Sequence, residues 1–451
     1  MAVDFSLLPQ EEPPDDEAPS RFAWVVAFFL MVLAGVFALL LWWPKDIPTQ
    51  TWKFWITLVL FPVGIPTWIV LRRYSVYEGR RSDVELRNEA VRAFNMRVFE
   101  AAGIPLAVLG AAHRISSDGR ENSAERIKAG AVTLKAQDSI AKHGDVVKAR
   151  WLSVPGMQNA PGGKESDLRR RHHATKWLFN QLLDDLLPNL KALPSRIPLT
   201  AHLSIANGFE PEANEALWLA CWEERASRPL MATHSAKSPA DLIMLDRWMD
   251  ATISGNDMHA TLLVAIQLNP LLAETPLPGT AEAGVALLLA PDALASRYSV
   301  ARQCNLHRPV RGSADQPSEA LTHALRWGNV TVDRITTAWQ TGLDATHAGT
   351  LRGPARKLAL NPRVTDLDQT VGHTGLAAPW LALACAASAP CSESVEQIIF
   401  VGQNGNVDCA VLKHTNVGQP LSQSTLDVAR ATDSHPSGRR VDMAQSPEWV
   451  T

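Results

Sequence analysis

Apolar positions cluster at the start of the chain and alternate with polar ones afterwards. Phe22 to Pro44, FAWVVAFFLMVLAGVFALLLWWP, carries no charge, and about 20 apolar residues in a helix cross a hydrocarbon core of about 30 Å. Phe54 to Leu71, FWITLVLFPVGIPTWIVL, is close to the minimum length for a second span. Pro62, Gly64 and Pro66 predict a kink there, because proline removes a backbone donor. Trp42, Trp43, Trp52, Trp55 and Trp68 stand near the ends of these runs, where amphipathic rings favour the headgroup level. The first run comes after EEPPDDEAP rather than a basic segment and lacks a small-residue cleavage site, so it reads as a retained span and not a signal peptide. Arg72, Arg73, Arg80 and Arg81 come after the second run, whereas the connecting loop offers only Lys45 and Lys53. That asymmetry predicts a hairpin with both termini in the cytoplasm.

Beyond the hairpin, Asp83 to Phe99 has apolar residues at helical spacing and reads as an amphipathic connector. A strand is expected from Ile104 to Gly110, then a charge-rich loop over Gln158 to Arg171 and a helix over Trp177 to Leu193. Ile197 to Ile205 predicts a strand, Leu217 to Arg225 and Asp241 to Ile253 helices, and Thr261 to Leu268 and Ala283 to Pro291 two buried strands. Helices are expected over Asp333 to Leu343 and Thr374 to Ala389. Two strands then flank GQNGN, whose residues tolerate left-handed turns. The segment after Thr415 is Ser/Gln/Pro/Asp-rich and reads as a disordered tail over 416–451. Alternating strands and helices predict an α/β region covered on both faces.

Composition narrows the partners. The 451 residues are 46% hydrophobic and 20% charged with a formal net charge of −3, a balance that argues against a nucleic-acid partner. The cysteines Cys221, Cys304, Cys385, Cys391 and Cys409 are widely spaced and odd in number, which suits a reducing compartment and suggests neither a zinc site nor a disulfide framework. No phosphate loop, dinucleotide fingerprint or metalloprotease motif occurs, so no cofactor is expected. His172 and His173, beside Arg169 to Arg171, read as a solvated loop rather than a metal site. Trp218, Trp222 and Trp248 offer a contact patch or, at helical spacing, a core.

His373 lies in GHTGLAAPW. This segment resembles the Gly-His-x-x-Gly-Ala-Ala loop of β-ketoacyl synthases. Ile104 to Gly119 is similar to that family's first strand and turn, Thr280 to Ala293 to its Gly-Ala-Ala strand, and IIFVGQNGNVDCAVL to its closing hairpin. The resemblance implies a thiolase-like α/β/α/β/α region, with a first half over 98–300 and a second over 301–415, after an acidic tail (1–21), a transmembrane hairpin (22–74) and a connector (75–97). It also implies a homodimer, since condensing enzymes commonly pair. Condensation needs a thiolate at a helix start and two histidines. The cysteine's place falls near Ser235 to Pro239 in THSAKSPADL, which has none, and Ser235 or Ser238 as a substitute lacks an evident Ser/His/Asp set. The first histidine's place, Ala338 to Asp344, reads AWQTGLD, with His347 a few residues further on. His373 alone stands where the motif wants it and reads as a vestigial turn residue, with no catalytic residue assigned.

The order of hairpin, connector and cysteine-less condensing-enzyme region resembles the type VI lipase adaptor family. Membership implies a non-catalytic inner-membrane protein, held in the bilayer through residues 22–71, that binds an effector lipase in the cytoplasm and helps load it onto the secretion-spike protein. An acyl-transfer enzyme with His373 as base is the alternative, and a structural or sensory membrane protein a third.

Overall fold

The computed structural model describes residues 7–13, 20–44, 48–226, 228–235, 240–253, 258–389 and 396–414. The expected tail over 416–451, Ser238, Cys391 and Lys45 lie outside these residues. The chain forms two compact units, one of residues 1–104 with 246–257 and the other of 105–245 with 258–451.

The first unit is built on α1 (Arg21–Trp42) and α2 (Trp52–Ala102). Ser20 starts α1 by accepting a hydrogen bond from the Ala23 amide. The second span and the connector are not separate elements: α2 continues for 51 residues through Pro62 and Pro66 to Ala102, about 77 Å at 1.5 Å per residue. The charges after Leu71 do not end the helix. Both helices are long and apolar enough to cross a membrane. Phe22, Leu33 and Leu41 on α1 and Trp55 and Val59 on α2 are exposed, a surface that water covers only at high cost. Residues 9–12, before α1, lie along the polar end of α2. Glu11 takes two hydrogen bonds from Arg92 (3.0 and 2.9 Å), the Asn88 amide group exchanges two with the Glu12 backbone (2.9 Å each), and Asn95 donates to the Pro9 carbonyl (3.1 Å).

The second unit starts with β1 (Leu106–Arg114), a short helix α3 (Ala124–Lys128) and a small hairpin, β2 (Ala136–Asp138) with β3 (Val146–Lys148). Next come α4 (Lys164–Ala192), β4 (Leu199–Ala206), α5 (Pro211–Arg225), β5 (Ala232–Ser235), α6 (Ile243–Ile253, shared with the first unit), β6 (Ala260–Gln267), β7 (Ala283–Pro291) and α7 (Asp292–Arg297). The remainder is β8 (Cys304–Leu306), β9 (Val310–Ser313), α8 (Ser318–Gly328), β10 (Ile335–Thr341), α9 (Ala345–Lys357), β11 (Arg363–Asp366), α10 (Leu367–Thr370), α11 (Ala378–Ser388), β12 (Glu396–Gln403) and β13 (Asn406–His414).

One mixed sheet runs β11-β10-β12-β13-β8-β1-β7-β6-β4-β5, with β9 on β13. The order is a duplication. Setting β9 and the small hairpin aside, each half reads 3-2-4-5-1 in its own strand sequence, β5-β4-β6-β7-β1 and β11-β10-β12-β13-β8. In each half strands two, three and four are parallel and the fifth runs against its neighbours. The two first strands, β1 and β8, pair antiparallel and join the halves. Helix α4 packs on β1 and β7, and α11, buried along almost its whole length, packs on β1, β7, β10 and β12. The sheet is therefore covered by helices.

Two sequence expectations are corrected. Asp333 to Leu343 is not a helix but a short 3-10 turn and the strand β10, stabilised by parallel pairing to β11 and β12. The loop expected over Gln158 to Arg171 ends at Gly163, and Lys164 to Arg171 are the first turns of α4. His172 and His173 thus stand exposed on a helix, with the His172 ring edge-on to Phe209 at 5.8 Å. Trp218 and Trp222 are core, Trp218 fully buried against Phe179, and Trp248 is half-buried.

Candidate functional site

A cavity of about 490 Å³ opens where the ends of β10 and β12 meet the start of α11. His347, His373, Ala240, Leu376 and the turn Gln403 to Asn406 are among its lining residues. Its backbone walls touch. A Cβ on Gly342, whose φ is +70°, would stand 2.2 Å from the Gly402 carbonyl oxygen, so only glycine lets the two strand ends approach this closely.

His373 is fixed through its main chain. Its amide donates to the Gly279 carbonyl (2.8 Å), and its carbonyl accepts from the Ala281 amide (2.9 Å). The segment that holds it is anchored by an ion pair buried on both sides, Arg170 with Glu282, at 3.0 and 2.5 Å. Glu282 also accepts from the amides of Leu152 (2.9 Å) and Asn269 (2.8 Å), so its charge is fully hydrogen-bonded. Gly375, at φ +51°, allows the turn into α11; a Cβ there would stand 2.4 Å from Gln267 Oε1. The motif's histidine and last glycine are thus held by contacts far away in sequence.

The His373 ring is about half exposed, with Nδ1 3.4 Å from Asp368 Oδ1. That hydrogen bond raises the imidazole's pKa above its ordinary value against the opposing effect of burial. Burial pushes the Asp368 carboxyl up, but contacts from His373, Thr341 and the Gly342 amide outweigh it and leave the group below the usual range. Asp368 is the residue that sequence reasoning missed. It lies five positions before His373, outside the GHTG motif, and a carboxylate so close in the chain to a motif histidine was the available signal. His347, a few residues beyond the Ala338 to Asp344 segment where the resemblance would put a first histidine, lines the same cavity. It sits in the first turn of α9, its amide donating 2.8 Å to the N-cap Asp344 and its ring 3.1 Å from the same carboxylate.

The segment before α6 carries a carboxylate. Asp241 Oδ1 accepts from the Met244 amide (3.1 Å), as an N-cap does, and Asp241 Oδ2 takes a hydrogen bond from Arg311 (2.8 Å). Arg311 also grips Asp408 on β13 through two contacts of 2.6 and 2.7 Å, which raises its pKa. No cysteine, serine or threonine is among the described residues lining the cavity. Cys221, Cys304, Cys385 and Cys409 are buried, and burial raises the pKa of Cys221, Cys385 and Cys409, which disfavours the thiolate. Ser235 ends β5, half-buried and outside the described lining. No group of three or more side chains able to hold a metal ion occurs among the described residues.

The doubled 3-2-4-5-1 order, with an antiparallel fifth strand in each half, defines a mixed α/β, thiolase-like fold. No family model matches the chain, and no curated protein matches it. Solved structures similar to it include the ketosynthase from module 6 of the bacillaene synthase of Bacillus subtilis 168 (10% identity, 73% of this chain and 77% of that one, TM-score 0.49). The ishigamide ketosynthase/chain length factor is 17% identical over 69% of this chain and 100% of that one, with a TM-score of 0.48. The dimeric peroxisomal thiolase of Saccharomyces cerevisiae is 8% identical over 70% and 100%, with a TM-score of 0.44. These likenesses are shallow, and the fold class rests on strand order and direction.

Proposed function

We propose that the chain is a membrane-anchored, non-catalytic adaptor whose thiolase-like domain binds a protein partner rather than turning over an acyl thioester. One observation carries this reading. A condensing nucleophile needs the positive field at a helix start to lower its pKa, and here the Asp241 carboxylate occupies that start by accepting from the Met244 amide. A thiolate beside it would meet a like charge. The absence of cysteine from the sequence between Cys221 and Cys304 agrees.

The finer proposal is a type VI lipase adaptor in a bacterial inner membrane, recognising a phospholipase effector and passing it to the secretion spike. It is supported by the resemblance in motif order, by the two apolar helices, and by the arginines after the second run. A two-span hairpin with both termini in the cytoplasm is supported also by residues 9–12 lying against Asn88, Arg92 and Asn95, beyond the second run. The test is affinity purification of the full chain from native membranes beside His373→Ala. Recovery of a lipase or spike protein by both is expected; recovery of neither overturns the adaptor.

The second reading, an acyl-transfer enzyme at the cytoplasmic face, is favoured by His347 and His373 sharing one cavity and by the His373–Asp368 contact. Acyl-carrier proteins captured by the wild type and lost from His373→Ala would favour it.

A further inference from the structure

A second concavity lies between the beginning of α1 and the middle of α2, with a volume of about 480 Å³. Its lining includes Trp24, Phe28, Phe29 and Val70, with Arg73 and Tyr74 among the same residues. The apolar members belong to the two candidate spans. Arg73 stands two positions beyond the last apolar residue of the second run, Leu71, which puts its guanidinium at headgroup depth when the hairpin spans. Trp24 and Tyr74 are residues of the interface, each an apolar ring with one polar handle.

Arg73 is the one basic residue among the described lining of this concavity. Like Arg72 and Arg80 it has no carboxylate partner among the described residues, in contrast to three arginines further along α2: Arg81 pairs with Glu85 (3.1 Å), Arg87 with Glu12 (3.6 Å) and Arg92 with Glu11 (2.9 Å). A guanidinium near hydrocarbon without a protein anion is costly, and a phosphodiester supplies two non-bridging oxygens that it can bind as a bidentate pair. The apolar lining matches acyl chain. We propose that this concavity binds one anionic glycerophospholipid, with its phosphate on Arg73 and an acyl chain against Phe28, Phe29 and Val70. The site rests on the reading of the two helices as spans and goes beyond the adaptor assignment: a lipid held here would fix the hairpin in the leaflet on the side from which α2 emerges.

The experiment reconstitutes the full chain into nanodiscs of phosphatidylcholine with about a quarter phosphatidylglycerol, then extracts it gently and counts retained lipids by native mass spectrometry. The wild type should keep one phosphatidylglycerol, Arg73→Ala about five-fold less, as one basic residue near the surface is worth about 1 kcal/mol, and Arg80→Ala as much as the wild type. Equal retention by Arg73→Ala, or equal retention of phosphatidylcholine, would overturn the site. Inorganic phosphate added during extraction should not displace the lipid; full displacement would make this a free-anion site and overturn the acyl-chain contact. Alkaline extraction of native membranes separates the two premises. Release of the chain overturns the spans and the site together, whereas a chain that stays in the membrane but shows no lipid preference overturns the site alone.

Discussion

The two halves of the sheet share one strand order but diverge in the segment that leads out of the third strand. After β11 the chain makes the Gly-His-Thr-Gly turn and enters α11, whose start carries no side-chain cap. After β5 it reaches α6 with the Asp241 carboxylate on an amide of the first turn and Arg311 on the carboxylate. The second half places an imidazole at the cavity, whereas the first places a carboxylate on an amide at the start of its helix. One strand order therefore carries different side chains at the corresponding turn of its two copies.

The largest expected effect tests whether the first half holds the second half's histidine. Glu282→Ala leaves Arg170 buried without its partner and should cost about 3 to 5 kcal/mol, read from the urea midpoint. The double substitution Arg170→Met with Glu282→Leu should recover most of that loss.

The next effect uses one buried histidine from each half. Burial lowers both His113, on β1, and His307, just after β8, to about 4. The unfolded chain protonates near pH 6.5, before the folded one does, so stability is present above pH 6.5 and is lost as pH falls toward 4. The loss is about 3 kcal/mol per histidine at full extent. His307→Gln should flatten the fall in stability measured by denaturant titration across that window. His373 has the opposite sign. Its raised pKa contributes stability that is present below 6.5 and lost as pH rises through the folded value.

Smaller effects probe the loops themselves. Gly375→Ala forces a left-handed residue and crowds Gln267, a loss of about 1 to 2 kcal/mol in thermal or urea unfolding. Ala240→Cys puts a thiol in the cavity beside Asp241. Its alkylation at neutral pH should be no faster than that of an ordinary cysteine, and Asp241→Asn in the same chain should speed it. Fast alkylation in the single variant would break the comparison between halves.

The way each element buries its surface decided how plainly it could be read in the sequence. Strands β6 and β7 are nearly continuous apolar runs and announce themselves, and β12 and β13 show shorter apolar runs on either side of the GQNGN turn. Strand β10 does not, because several of its buried residues are polar and satisfied from elsewhere: Thr337 by Lys128, Gln340 by Asp366 and Thr341 by Asp368. The first turns of α4 were hidden likewise. Their buried members are Asp167 and Arg170, and the burial of Arg170 depends on Glu282, more than a hundred residues away. In the cavity, the His373 motif was legible as a short local pattern. The sharing of that cavity by His347 was not, since it arises from the path of β10 into α9.

The central position of β1 has a consequence for how the protein is made. This strand is synthesised first of all the sheet, yet its neighbours are β7, which begins at Ala283, and β8, which begins at Cys304. At about 5 to 20 residues per second, the ribosome needs roughly 10 to 30 s after finishing Arg114 to deliver the first partner. Through that interval a nascent strand with Val108, Leu109 and Ala112 facing no sheet waits for a distant chain segment, and its protection falls to whatever binds the emerging polypeptide.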